Sequence, residues 1–339
     1  MKKKILYTIL ILIIIGGACA FYGYSVMNTG FNIDKTVYLY IDEKRDYENL
    51  KREVIDSAKV GNISNFELLV SVLDYKESIK SGRYAVTPEM NIYDLIKNLR
   101  SGKQTPVKLK FNNIRTKEDL AERISDQLMI SKDILLNALD DPDQCQKLGF
   151  NTETVVAMFI PNTYEFYWDV SIATFLERMN KEYTKFWNTE RLAKAKEINL
   201  TPAEVSTLAS IVEEECMFTD EYPKVAGLYL NRLRVGQELQ ADPTVKFAVG
   251  DFSLRRILNK HTEVNSPYNT YRRTGLPPGP IRIPSIKGID SVLNYSKHDY
   301  FYMCAKDDFS GYHNFASNYA DHLRNRAKYT RALDARGIR

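Results

Sequence analysis

The sequence predicts an α+β protein that one N-terminal helix holds in a membrane. Three observations carry this prediction. An uncharged stretch rich in Ile and Leu runs from Ile5 to Val26. Behind it, short runs that alternate β-branched and aromatic residues are interspersed with longer runs whose apolar residues recur every three or four positions. Finally, 339 residues, 44% of them hydrophobic and 27% charged, suffice for two or three globular domains.

The apolar stretch is long enough to cross a membrane. It spans positions 5–26, and about 20 helical residues cross a hydrocarbon core of roughly 30 Å. Three lysines at positions 2–4 precede it, which favours a cytoplasmic N-terminus and an exported remainder. Two alternatives stay open. A signal peptide would end at a small-residue cleavage site, whereas the apolar run continues through 21–24, and Cys19 lies in a loose lipoprotein pattern.

Charge and cysteine content exclude several functions. Three of the four net positive charges lie before the anchor, which leaves +1 for residues 29–339 and argues against nucleic-acid binding. Cys145, Cys216 and Cys304 follow no metal or redox spacing, and the four histidines include no H-x-x-x-H pair. We therefore predict no metal and no cofactor, and we expect these three cysteines to be buried thiols.

Residues 29–111 predict a small α+β module. Alternating patterns predict strands at 36–41, 81–86 and 107–111. Apolar periodicity predicts helices at about 47–58, 64–75 and 87–99, the last of which stops at Ser101-Gly102.

Residues 112–339 predict a larger mixed domain. Helices are expected from Thr116, from Ser131, at 171–188, 190–198 and 201–216, from Thr219 to about 236, and at 317–335. Strands at 300–305 and 311–315 are expected to form a hairpin. Four prolines and two glycines within 275–284 indicate a rigid loop, and the charges of the final helix are interpreted as a solvated face.

The helix expected at 201–216 carries the candidate chemistry. Thr201 and Glu204 form a capping box at its start. Apolar residues at 208, 211 and 212 share one helical face with Glu215, whereas Glu213 and Glu214 point elsewhere. A carboxyl group at the end of a buried stripe has a raised pKa and can hold the proton that a general acid needs. The alternative interpretation is a solvated acidic helix end.

With these residues in view, the chain resembles the endolytic murein transglycosylases of the MltG (YceG-like) family over nearly its whole length. The resemblance is most specific in four blocks that occur in the family's order, at 208–215, 231–245, 268–281 and 311–315. It implies three parts: a cytoplasmic stub and transmembrane anchor at 1–28, a LysM-like α+β module at 29–111, and a catalytic domain at 112–339. The LysM-like module would bind glycan or act as a spacer.

The resemblance also implies a reaction. Glycan strands of peptidoglycan are cleaved between N-acetylmuramic acid and N-acetylglucosamine, and a 1,6-anhydromuramoyl end forms without water. One Glu can suffice, because it protonates the leaving oxygen and then, as carboxylate, assists attack by the sugar's own C6 hydroxyl. The implied partners are peptidoglycan strands and cell-wall synthases (penicillin-binding proteins). The implied location is the bacterial cytoplasmic membrane, with the catalytic domain outside.

The family's usual Ile-Val-Glu-Lys-Glu string implies that Glu215 is the acid, which agrees with the helical stripe, and Glu213 is the second choice. The remaining implied site residues are substrate contacts: Gln240, Asp242, Tyr268, Asn269, Tyr271, His313 and Asn314. Their structural alternatives are turn capping for the first two, packing of the proline-rich loop for the next three, and hairpin formation for the last two. The chain departs from the residues common in the family at Asn162, Glu214, Cys216 and Arg282.

Two other functions remain open on the sequence. One is a lysozyme-type muramidase, which would leave a reducing sugar at the cut end. The other is a non-catalytic peptidoglycan-binding scaffold for synthases, for which a missing acid at position 215 would have been the simplest sign.

Overall fold

A computed structural model of the protein describes residues 2–254 and 256–337. The chain falls into two compact units. The first comprises Met1–Leu109, Gln127–Ile130 and Tyr164–Ser171, and the second comprises Lys110–Asp126, Ser131–Thr163 and Ile172–Arg339. Two short later segments thus join the first unit, and the predicted division between residues 111 and 112 stays a prediction.

The N-terminal helix α1 (Lys2–Met27) is continuous. Its segment Lys3–Met27 has a mean hydropathy of 2.4 and is long and apolar enough to cross a membrane. Its large apolar side chains are exposed, except that Val26 at its end packs into the core of the first unit. Exposed apolar surface of this extent suits lipid, so the helix is consistent with the predicted anchor.

The rest of the first unit is a two-stranded sheet covered by helices. Its elements are β1 (Val37–Ile41), α2 (Tyr47–Asp56), α3 (Ile63–Val72), a 3₁₀ turn (Tyr75–Ser78), β2 (Gly82–Val86), α4 (Ile92–Ser101) and β3 (Val107–Lys110). β1 and β2 pair antiparallel, with Val37 opposite Val86. Leu39, Phe66 and Leu95 are fully buried between sheet and helices. The predicted strands and helices are confirmed, while the LysM-like character of the module stays a prediction.

The second unit is mainly helical. It includes a 3₁₀ turn (Val155–Met158), whereas β4 (Thr163–Phe166) lies mostly in the Tyr164–Ser171 segment of the first unit and pairs with β3 there. The other elements are α5 (Lys117–Ser125), α6 (Lys132–Asp140), α7 (Pro142–Lys147), α8 (Ile172–Phe186), α9 (Thr189–Glu197), α10 (Pro202–Glu215), α11 (Tyr222–Arg234), α12 (Asp242–Val249), α13 (Asn259–Thr262), α14 (Ile286–Leu293), β5 (Tyr302–Ala305), β6 (His313–Ala316) and α15 (Tyr319–Ala335). β5 and β6 form the predicted antiparallel hairpin.

Three short helices, α7, α13 and α14, were not predicted, and the start of α11 was misplaced. Thr219 does not cap α11, because the N-cap position is Glu221 and a proline follows in the first turn. α14 follows the proline-rich loop directly and has eight residues, too few for a clear apolar period. Ser285 starts it by accepting a hydrogen bond from the amide of Gly288.

α10 lies at the centre of this unit and packs against α11, α12 and α14. All residues from Val205 to Val212 are buried, so burial surrounds the helix instead of following a single stripe. Cys145 and Cys216 are buried thiols as predicted, while Cys304 is only partly buried. The environment of each acid at the end of α10 therefore depends on its individual neighbours.

Candidate active site

A cavity of about 570 Å³ opens at the C-terminal end of α10. Its walls come from the ends of α10 and α11, the turn that leads into α12, the loop that carries Tyr271, the β5–β6 hairpin and α15. Of the residues predicted for the site, five line this cavity: Glu215, Gln240, Asp242, Tyr271 and His313. The structure thus brings together residues that lie almost 100 positions apart in the chain.

Local interactions at the start of α10 fix the position of its last turn. Thr201 accepts a hydrogen bond from the amide of Glu204 at 3.3 Å, and the Glu204 carboxylate accepts one from the amide of Thr201 at 2.7 Å. The predicted capping box is therefore present, with Pro202 at the first helical position. The helix ends at Cys216, which leaves Glu215 in the final turn at the cavity wall.

Glu215 faces the cavity with few compensating partners. Tyr229 of α11 donates a hydrogen bond from its hydroxyl to Oε1 of Glu215 at 3.1 Å. Burial, followed by the nearby Asp242 carboxylate, raises the pKa of Glu215 to about 7, while Tyr229 and Arg232 act in the opposite direction. Burial also raises the pKa of Tyr229 well above its usual value, so Tyr229 stays a donor. A carboxyl group with a pKa near 7 is present in both its protonated and its ionised form at neutral pH.

Glu213 has a different environment, although it lies two residues away. Its carboxylate accepts hydrogen bonds from the amide of Ser285 at 3.0 Å and from the Ser285 hydroxyl. Its side chain is only 5% exposed, and Arg282 lies 3.7 Å from its second oxygen. The Glu213 carboxylate also lies so close to Gly288 of α14 that a Cβ atom at this glycine would overlap it. Glu213 therefore joins α10 to the start of α14.

Glu214 is held by two arginines. Arg115 approaches one of its oxygens at 2.8 Å and Arg282 the other at 2.7 Å. Glu214 and Arg282 are both positions at which the chain departs from the residues common in the resembling family. The structure shows that these two departures form an ion pair with each other, on the side of α10 that holds the proline-rich loop.

Asp242 and Tyr271 form a second polar part of the cavity wall. The Tyr271 hydroxyl donates to Oδ1 of Asp242 at 2.6 Å. Asp242 is the first residue of α12, whose N-cap Ala241 has no side-chain hydrogen bond. Gln240 has a positive φ of 47°, and its amide donates to the carbonyl of Thr270 at 3.0 Å, which turns its side chain toward the cavity.

His313 lines the cavity from β6. Its Nδ1 lies 2.9 Å from one oxygen of Glu221, and its amide donates to the other at 3.0 Å. Asn314, the next residue of β6, does not line the cavity. It lies opposite Cys304 in the hairpin.

Tyr268 and Asn269 also lie away from this cavity. Tyr268 packs on Phe247, with ring centroids 4.7 Å apart, and borders a separate depression. Asn269 is fully buried, and its amide nitrogen donates to the carbonyls of Thr262 and Val264 at 2.9 and 2.8 Å. These contacts organise the loop that presents Tyr271.

Several cavity residues were missed by sequence reasoning. Tyr229 and Arg232 were assigned only to the helical pattern of α11, although a mostly buried arginine within such a pattern is a usable signal. Arg232 donates to the carbonyl oxygens of Phe301 and Leu239 at 2.7 and 2.6 Å. The interpretation of the α15 charges as a solvated face also omitted a cavity-lining row, which consists of Tyr319, His322 and Arg326.

The donor set of the cavity suits proton transfer and polar contacts. Within residues 2–254 and 256–337, no group of three or more His, Cys, Asp or Glu side chains is arranged to hold a metal ion. The cavity combines a protonatable carboxyl group, a second carboxylate, tyrosine hydroxyls and arginines. Such a combination can protonate a leaving group and hydrogen-bond a sugar.

Comparisons with known proteins identify a family and several similar proteins. The family model of the YceG-like family matches residues 39–328. The chain is 29% identical over 297 residues to an endolytic murein transglycosylase of Bacillus subtilis strain 168. This alignment covers 82% of this chain and 79% of the Bacillus protein. It is 26% identical to an endolytic murein transglycosylase of Streptococcus pneumoniae D39, over 96% of this chain and 65% of the relative.

A solved structure shows a similar fold. The crystal structure of a YceG-like protein from Listeria monocytogenes matches with a TM-score of 0.56 and 25% sequence identity. The match covers 86% of this chain and 99% of the Listeria chain.

Proposed function

Because the chain belongs to the YceG-like family, we propose that it is a membrane-anchored endolytic transglycosylase of peptidoglycan, with Glu215 as its acid and base. Curated relatives named endolytic murein transglycosylases support the reaction class. The observation that carries the residue assignment is the environment of Glu215, whose burial beside the cavity raises its pKa to about 7. The two acids before it are bound by Ser285 and by arginines instead.

The chemistry needs one group that changes its protonation state. Glu215 donates its proton to the glycosidic oxygen as the C1–O bond of the muramoyl residue breaks. The resulting carboxylate then accepts the proton of the same residue's C6 hydroxyl while that oxygen bonds to C1. The 1,6-anhydro ring forms, and Glu215 is protonated again for the next cycle. A pKa near neutrality allows both half-steps at the same pH.

Neighbouring residues hold this acid in place. Tyr229 donates to Oε1 of Glu215, and the backbone of Asp242 also hydrogen-bonds this carboxyl group. Asp242 disfavours ionisation of Glu215 through its negative charge. Gln240, Tyr271 and His313 are placed to contact the sugar rings from the other walls.

The helix α1 supports a location of this activity at a membrane. We propose that its N-terminal lysines are cytoplasmic and that both units lie outside, where nascent glycan strands are found. Cell-wall synthases are the proposed partners. The glycan-binding role of the first unit also stays a proposal.

The decisive experiment analyses the cut ends. The full chain in detergent is incubated with uncrosslinked glycan strands, and the products are identified by mass spectrometry. Wild-type protein is expected to release anhydromuropeptides, Glu215→Gln none, and Glu214→Gln amounts close to wild type. Undiminished product from Glu215→Gln would refute the assignment of the acid.

A hydrolytic alternative rests on Asp242, which gives the cavity a second carboxylate of the kind that lysozyme-type enzymes use. The same spectra distinguish it, because a hydrolysed end carries one more water than an anhydro end. Strand binding without any product from the wild-type chain would instead indicate a scaffold.

A further inference from the structure

One wall of the cavity is cationic and aromatic, and the reaction described above leaves it unused. Tyr319, His322 and Arg326 follow one another on α15 at intervals of three and four residues, so they share the helical face that borders the cavity. Tyr302 of β5 completes this wall, and its ring stacks on His322 with centroids 5.3 Å apart. We call these four residues the α15 wall.

The two arginines of the cavity differ in their partners. Arg232 is 7% exposed and its guanidinium is occupied by main-chain carbonyls of Phe301 and Leu239. Arg326 makes no hydrogen bond or ion pair with any other residue in the described parts of the chain, 2–254 and 256–337. Arg324, two residues earlier on the same helix, is paired with Asp321. The free guanidinium is therefore the one that borders the cavity.

His322 provides a second unsatisfied group beside Arg326. Its Nδ1 is buried and has no hydrogen-bond partner among the described residues. Burial, together with the charges of Arg326 and Arg232, lowers the pKa of His322, so the ring is neutral at pH 7. A buried polar atom without a partner costs free energy unless a ligand or water satisfies it.

We propose that Arg326, assisted by His322, binds a carboxylate carried by the muramic-acid residue of the glycan strand. This inference rests on the proposed function and adds the recognition of the strand. The sugar rings themselves are neutral. The carboxylates of a strand belong to the peptide where one is attached through an amide to the lactyl group of muramic acid, and to the free lactyl group where none is attached. A planar guanidinium is well suited to a carboxylate, and the rings of Tyr302 and Tyr319 offer apolar faces to a sugar.

The position of this subsite determines which sugar of the strand lies at Glu215. The strand alternates two sugars, so an enzyme that cuts only after muramic acid must recognise which ring lies at its acid. Asp242 adds a negative charge to the wall at the start of α12, while Arg326 makes the α15 wall cationic. A carboxylate is repelled from the first and attracted to the second, which orients the muramoyl residue and sets the register of the strand.

The test varies the charge on both partners. The full chain in detergent is assayed on peptide-bearing glycan strands and on the same strands after conversion of their carboxylates to methylamides. Arg326→Gln is expected to raise KM about 10-fold on native strands, with little change in kcat. On the amidated strands, wild type and Arg326→Gln are expected to have the same KM. Arg324→Gln is the matched control and should behave as wild type on both.

Other outcomes are also informative. Arg326→Lys should recover part of the lost affinity, because it restores the charge without the planar fork. An unchanged KM for Arg326→Gln, or an equal rise on native and amidated strands, would overturn the proposal. A rise that persists after amidation but disappears when the strands lack a lipid pyrophosphate would identify phosphate as the anion and also overturn it.

Failure of the proposed function is distinguishable from failure of this subsite. If the wild-type chain forms no anhydro product, binding of the two strand types is measured directly as Kd for wild type, Arg326→Gln and Arg324→Gln. A carboxylate-dependent loss of affinity confined to Arg326→Gln would support the subsite even then, whereas equal Kd values would reject it.

Discussion

The last turn of α10 has two sides that differ in what they do with the same residue type. On one side, Glu213 and Glu214 are bound by Ser285, Arg115 and Arg282. On the other side, Glu215 meets a tyrosine hydroxyl and a second acid across an open cavity. Three consecutive glutamates thus have three environments, and burial raises the pKa of Glu215 to about 7.

The comparison shows that burial alone does not make an acid catalytic. The Glu213 side chain is only 5% exposed, yet its partners are Ser285 and the nearby Arg282, which join α10 to the start of α14. Glu215 lacks a directly paired cation and is placed near Asp242, so its neutral form is favoured. The charge of the partner separates a structural acid from a candidate general acid.

The largest expected effect concerns Glu213, on the side of the turn that contacts Ser285 and the arginines. Glu213→Ala removes the acceptor of the Ser285 amide and hydroxyl, and it leaves buried donors at the start of α14 without a partner. We expect a loss of about 3 kcal/mol in the free energy of unfolding. Denaturant unfolding followed by the fluorescence of Trp187, which is buried in the same core, measures it. Glu213→Gln keeps an acceptor and should lose less; equal losses would contradict the hydrogen-bond argument.

The second largest expected effect concerns the catalytic rate and Glu215, on the side of the turn that faces the cavity. Glu215→Asp retains the acid but withdraws it by one methylene from Tyr229 and from the substrate. Because a displacement of about 1 Å can cost about 100-fold in rate, we expect kcat to fall by roughly that factor. Glu214→Asp shortens the neighbouring acid outside the cavity and should keep kcat within a few-fold of wild type. Similar losses in both variants would mean that the two sides of the turn are not functionally distinct.

A third prediction uses the pKa of Glu215 as a stability effect. Its folded pKa of about 7 exceeds the reference value of 4.5, so the unfolded state binds fewer protons between these values. The free energy of unfolding must then fall as pH rises through this interval. Glu215→Gln escapes this loss, and we expect it to be about 2 kcal/mol more stable than wild type at pH 8.

Stability measurements near pH 4 are the control for this prediction. Near pH 4 the wild-type carboxyl is protonated in both states, so the stability advantage of Glu215→Gln should disappear. A difference between the two proteins that is independent of pH would show that the pKa of Glu215 is the same in the folded and unfolded states, and it would remove the argument for a neutral acid.

The sequence predicted the position of Glu215 better than it predicted the contacts of Glu213 and Glu214. The spacing from 208 to 215 selected Glu215, and the capping box fixed where the helix begins, because both depend on residues within one helix. The ion pair of Glu214 with Arg282 joins positions 68 residues apart, and the contact of Glu213 with Ser285 joins positions 72 apart. No local pattern encodes such contacts, particularly since the short helix α14 was not predicted.

The cavity wall shows the same limit. Gln240, Asp242 and Tyr271 were predicted as substrate contacts through the family resemblance and do line the cavity. The row on α15 has helical spacing, but whether its face meets solvent or a cavity depends on where the β5–β6 hairpin lies. Periodicity identifies which residues share a face, whereas tertiary packing determines what that face contacts.

The smallest expected effect separates electrostatic tuning from direct chemistry. Asp242→Asn removes a negative charge that raises the pKa of Glu215, while its side-chain oxygen can still accept the Tyr271 hydroxyl. The acid then ionises at lower pH, so the alkaline limit of the kcat–pH profile should move down by less than about one unit. Asp251→Asn, which removes a charge that does not line this cavity, should leave the profile unchanged.

The magnitude of that change also decides between the two reaction types. If Asp242 were the nucleophile of a hydrolase, its replacement by Asn would lower kcat by orders of magnitude at every pH. If it only disfavours the ionised form of Glu215, the maximum of kcat is retained and only the alkaline limit moves. A displaced profile with an intact maximum would therefore place Asp242 on the electrostatic side and leave Glu215 as the single carboxyl group that the reaction requires.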